Sequence, residues 1–127
     1  MKLFGKLDVR TFNAANNYVT SLRRLNRFEE AKSLLLKLIP VALRVLEHNH
    51  TTLLTLKWNY ATALWMDAKA TIDDLREAVA TLEDIIRIAR RVFGGEHPHT
   101  NQMMIDLKKS RAVLLIRENA QPPPGSA

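Results

Sequence analysis

Four histidines stand as two His-x-His pairs, His48/His50 and His97/His99. Two imidazoles at that spacing can close on one metal ion. Five carboxylates, Asp73, Asp74, Glu77, Glu83 and Asp84, crowd one stretch of chain, and a carboxylate pair in a cleft can do general acid–base work. Three basic clusters, Arg23-Arg24-Arg27, Arg87-Arg90-Arg91 and Lys108-Lys109-Arg111, suit carboxylates and phosphates. Each has a plainer reading. The carboxylates alternate with arginines at helical spacing, with Glu83 and Arg87 placed as an i, i+4 ion pair. The basic clusters read as solvated helix faces. The chain has no cysteine, no phosphate-cradling glycine loop and no nucleophile motif. The expectation is no catalytic residue, no metal and no cofactor.

Glycine and proline punctuate the elements that must position these groups. Between them apolar residues recur at spacings of three and four, and no stretch alternates with a period of two, so the chain reads as all-α. A first helix is expected from about Val9 to Leu25, N-capped by Asp8, with Asn26 taking a left-handed turn. A second starts near Arg27, with Phe28, Ala31, Leu35, Leu38, Ala42 and Val45 or Leu46 as its apolar face and Pro40 as a kink. A loop follows over Glu47-His48-Asn49-His50. A third helix is capped by Thr51 or Thr52 and reaches about Asp67. A fourth is capped by Thr71, with Asp74 completing a capping box. Its apolar stripe is Leu75, Ala78, Val79, Leu82, Ile85, Ile86, Ala89 and Phe93, and Gly94-Gly95 ends it. Pro98 and Thr100 introduce a fifth helix ending near Glu118. Residues 1–8 read as a lead-in and 119–127, with Pro122-Pro123-Pro124, as a disordered tail.

The totals fit one globular domain: 127 residues, 46% hydrophobic and 25% charged, enough to bury a core without staples. No apolar run approaches the ~20 residues that span a bilayer, and the N-terminus has no signal-peptide core. A cytoplasmic location is expected. The net charge of +6 favours acidic partners.

The two halves resemble each other. Asn17-Tyr18-Val19-Thr20-Ser21-Leu22 matches Asn59-Tyr60-Ala61-Thr62-Ala63-Leu64, 42 residues later. Glu30-Ala31 matches Glu77-Ala78 and Val45-Leu46 matches Val92-Phe93, both 47 later. His48-x-His50-Thr51 matches His97-x-His99-Thr100 at 49. An insertion near Asp67–Thr71 explains the drift from 42 to 47. A helix–turn–helix–loop repeat of this period signals an α-solenoid of antiparallel helix pairs, here about two and a half repeats in five helices. Tyr18, Phe28, Tyr60 and Phe93 recur at equivalent places and read as inter-helix packing.

The repeat resembles the tetratricopeptide repeat in its long, kinesin-light-chain-like form. Asn16-Asn17-Tyr18-Val19, Asn26-Arg27-Phe28-Glu29-Glu30-Ala31 and Val92-Phe93-Gly94-Gly95-Glu96-His97-Pro98-His99-Thr100 carry the resemblance. Trp58 stands in place of an asparagine of the pattern, and the second intra-repeat turn is long and lacks its glycine. The resemblance makes His97 a loop-locking residue rather than a ligand. It also implies that the first helix of each repeat lines a concave groove where asparagine amides hold an extended peptide, each amide offering donor and acceptor together. The implied groove residues are Asn13, Asn16, Asn17, Thr20 and Arg24 in the first unit, and Thr55, Trp58, Asn59, Thr62 and Met66 in the second. The implied function is protein–peptide binding at micromolar strength. Nucleic-acid binding through the basic faces, or service as a cap or spacer in a larger assembly, are the alternatives.

Overall fold

The structure is a computed structural model and describes residues 8–47 and 50–120; the lead-in before Asp8, His48, Asn49 and residues 121–127 lie outside them. Five helices follow in order: α1 (Val9–Arg24), α2 (Phe28–Val45), α3 (Thr51–Trp65), α4 (Ile72–Val92) and α5 (Pro98–Ala120). Among the described residues there is no strand, as the missing two-residue period requires. Each helix packs on the next, and α3 also meets α1 and α5. α3 is the central helix and is buried over most of its surface: Leu53, Leu54, Leu56 and Ala61 are fully buried, and Thr52, Asn59 and Thr62 are buried with them.

The turns follow from local chemistry. Asn26 takes φ 60° between α1 and α2, the left-handed conformation that asparagine tolerates best after glycine. Gly94 takes φ 97° after α4. Thr71 and Asp74 form a reciprocal capping box, each side chain accepting the other's backbone N–H at 3.0 Å. α4 has 21 residues against 18 in α2, so part of the insertion in the second unit becomes an extra helical turn. α2 continues through Pro40, which sits on its exposed side. On its apolar face Leu46, not Val45, reaches the core.

Several expectations are corrected. Neither Thr51 nor Thr52 caps α3. His50 does, its Nδ1 accepting the Thr52 N–H at 3.1 Å. His97 makes the same bond to the His99 N–H at 3.0 Å, and Asp8 to the Arg10 N–H at 3.0 Å. Asp8, His50 and His97 therefore start equivalent helices, and the inter-repeat loops align at 47 residues rather than 49. The Glu83–Arg87 pair does not form: Arg87 pairs with Asp84, and Glu83 with Arg111 of α5. Tyr18 is 55% exposed, at the edge of a depression between α1 and α2, whereas its counterpart Tyr60 is buried and donates its hydroxyl to Glu77 at 2.7 Å. α4 also buries Ile88, outside the expected stripe. α5 runs two residues past Glu118, into the segment expected as tail.

Candidate functional site: a groove across α1, α3 and α5

The first helices of the three units lie side by side, and two depressions open along them. One, about 480 Å³, takes Thr20 and Arg23 from α1, Thr55, Trp58, Asn59 and Thr62 from α3, and Gln102, Asp106 and Lys109 from α5, with Trp65 and Met66 at its end. The other, about 310 Å³, takes Asn13, Asn16 and Asn17 from α1, Thr51, Thr52 and Thr55 from α3, and Phe93 and His99. Thr55 lines both. The groove residues named from sequence converge here, except Arg24, which is exposed and lines neither depression.

The asparagines have different settings. Asn16 and Asn59 are buried. Asn59 Nδ2 donates to Asn16 Oδ1 at 2.9 Å, and Asn16 Nδ2 donates to the Thr52 carbonyl at 3.4 Å. Arg23 Nε donates to Asn59 Oδ1 at 3.1 Å. These bonds stitch α1 to α3, each worth about 1 kcal/mol net and more when one partner alone is removed. Asn13 Oδ1 accepts the Thr52 hydroxyl at 2.9 Å. Asn17 is exposed, and its side-chain amide has no partner among the described residues.

Trp58 forms part of the wall, its indole N–H donating to Asp106 Oδ2 at 2.8 Å. Gln102 Nε2 donates to the other oxygen of that carboxylate at 3.1 Å. Thr20, Thr55 and Thr62 each donate their hydroxyl to the carbonyl one turn back, which leaves oxygen lone pairs to accept. Burial holds the Arg23 guanidinium below the usual arginine range, and the Asp106 charge opposes that shift. The indole N–H of Trp65 is buried with no hydrogen-bond partner among the described residues.

At one end Phe93 stacks on His97 with ring centroids 4.6 Å apart, and His99 lies edge-on to Phe93 at 5.5 Å and to Trp58 at 5.8 Å. His97 Nδ1 is committed to its helix start, and no group of three metal-ligating side chains occurs among the described residues. The five carboxylates of α4 all have partners: Asp73 with Arg76, Asp74 in the capping box, Glu77 with Tyr60, Glu83 with Arg111 and Asp84 with Arg87.

Sequence reasoning missed Arg23, Trp65, Gln102, Asp106 and Lys109 as groove residues. The 47-residue register would have found Asp106, which is the counterpart of Asn59. The basic clusters do not form one surface: Arg23 and Lys109 face the groove, while Arg87, Arg90, Lys108 and Arg111 gather between α4 and α5. Among the described residues no helix is long and apolar enough to cross a membrane.

The tetratricopeptide repeat family matches the chain at residues 11–52 and 70–99, more than half its length. The unmatched stretch between them holds most of α3 and the long turn, where Trp58 and the missing glycine depart from the pattern. No curated protein and no solved structure matches the chain.

Proposed function

The chain belongs to the tetratricopeptide repeat family, and from that premise we propose that it binds an extended segment of a partner protein in the groove across α1, α3 and α5. Repeats of this family generally mediate protein–protein interaction and are typically scaffolds rather than enzymes. The observation that supports the proposal is that Thr20, Thr55, Trp58 and Met66 line one depression with Gln102 and Lys109, and that Asn17 lines a second that shares Thr55 with it. Concave sites with a few convergent polar groups are where ligands bind.

The bound segment lies over Asn17, whose amide is free to hold a peptide bond, and over the threonine hydroxyls. Met66, 48% exposed, offers an adaptable apolar contact. Lys109 has no ion-pair partner among the described residues and favours an acidic residue in the segment. The loop from Val92 to Thr100 supports the kinesin-light-chain-like form of the repeat.

Selection from a peptide-display library tests this. The wild-type chain should enrich a shared motif that an Asn17→Ala/Lys109→Glu variant, folded to the same helicity, does not. Equal enrichment by both would remove the groove. Asn59→Ala is the poorer variant. It leaves Arg23 Nε and Asn16 Oδ1 without the bonds they make to Asn59, at a cost of about 1–3 kcal/mol, so lost binding would be confounded with lost stability.

A further inference from the structure

The repeat register shows that one interface of the stack is made in the middle of the molecule and open at its end. In the middle, α4 seats against α3 beside α2. Leu36, Ile39 and Pro40 of α2, Lys57 and Tyr60 of α3, and Ala80, Thr81 and Asp84 of α4 line a shared cleft of about 650 Å³. Moving 47 residues on converts the α2 and α3 positions to Glu83, Ile86, Arg87, Met104 and Leu107. These five line a second cleft, of about 580 Å³, between α4 and α5. Among the described residues no helix covers it.

The chemistry of the two positions differs. Ala61 and Leu64 of α3 are 0% and 2% exposed, and their counterparts in α5 are the exposed Lys108 and Arg111. Leu43 of α2 becomes Arg90. Arg111 is paired with Glu83 and Arg87 with Asp84. Arg90 and Lys108 have no carboxylate partner among the described residues. Beside these cations lie exposed apolar side chains. Met104 and Ile105 line the cleft, and Leu115 and Ile116 extend the exposed apolar surface along α5. Ile105, Lys108 and Leu115 share one helical face.

We propose that this cleft binds an acidic amphipathic helix of a partner protein, seated against α5 as α4 is seated against α3. A helix fits because the same fold places one at the equivalent position. It must be acidic, because its carboxylates meet Arg90 and Lys108, and Lys108 stands where the inner interface has the buried Ala61; a neutral or basic helix would leave those cations unpaired. Its apolar stripe covers Met104, Ile105 and Leu115. Residues 121–127 cannot supply it, since Pro122-Pro123-Pro124 does not enter a helix interior. The cleft uses a different strip of α5 from the groove residues Gln102, Asp106 and Lys109, so this proposal stands or falls apart from the groove.

The test uses the full chain and two synthetic helical peptides of about six turns. Both carry a leucine stripe; one is flanked by glutamate and the other by lysine. Fluorescence anisotropy should show binding of the glutamate peptide alone. Arg90→Glu/Lys108→Glu, at unchanged helicity, should weaken it about tenfold or more. Amide and methyl shifts should move at Met104 and Ile105, not at Asn17 and Trp58. Equal affinity for both peptides, unchanged affinity in the charge-reversed chain, or shifts confined to the groove would overturn the proposal. Self-association of the chain that buries Ile105 and is abolished by the same substitutions would assign the cleft to a second copy instead.

Discussion

Tyr18 and Tyr60 occupy the same place in successive units and have opposite fates, which shows how much a single side chain owes to its neighbours. Tyr60 is pressed among α3 and α4, and its hydroxyl donates to Glu77. Burial, and then the bond and charge of Glu77, push the phenol well above the ordinary tyrosine range. The neutral phenol is the form the fold stabilises. That stabilisation is complete below the unfolded value of about 10 and is lost as pH rises above it toward the folded value. Tyr60→Phe should be less stable than wild type near neutrality. Its stability should also fall less steeply than that of wild type as pH rises beyond 10. Denaturant titrations of both chains across that range check it; parallel curves would show that Tyr60 does not govern the alkaline limb.

Helices α1, α3 and α5 begin in one way with different residues. An acceptor at Asp8, His50 or His97 takes the N–H two residues on and satisfies a donor that the first turn leaves free. Histidine is an unusual choice, because only an unprotonated Nδ1 can accept. His97→Ala should lower stability by about 1 kcal/mol, and His97→Asn should recover most of the loss, since asparagine is among the best N-caps. Thermal unfolding followed by circular dichroism measures both. A full loss in the asparagine variant would point to the stacking of His97 on Phe93 as the larger contribution.

At the scale of the molecule, stability rests on α3 and on the cover that α5 gives to α4. Leu82, Ile85 and Ala89 of α4 are fully buried, and α4 packs on both α3 and α5. Arg117 of α5 also holds the long α3–α4 turn, donating to the Ala70 carbonyl at 2.6 Å and the Ala68 carbonyl at 3.0 Å. A chain ended at His97 should therefore lose most of its cooperative unfolding, because uncovering several leucine- and isoleucine-sized side chains costs about 2–3 kcal/mol each, against a total stability of about 5–15 kcal/mol. Urea unfolding of that fragment with the wild-type midpoint would show that α5 is dispensable to the fold.

Periodicity and punctuation were enough to read five helices, their order and the pairing of the halves. Apolar spacing, Asn26, Gly94 and the Thr71–Asp74 box act within a few residues of themselves, so local chemistry reveals them. The first helices could be named as the groove wall only through the repeat they resemble. Tertiary structure decided the rest. The true register of the last loop became visible in the bonds of His50 and His97, because the His-x-His pairs match at 49 residues while at 47 only His50 falls on a histidine, His97. The partners of Glu83 and Asn59 come from other helices, and sequence distance does not tell which arginine or amide will lie within 3 Å. Lys108 and Arg111 read as an ordinary solvated face. Only their superposition on the buried Ala61 and Leu64 shows that the same structural position is apolar inside the stack and cationic at its end.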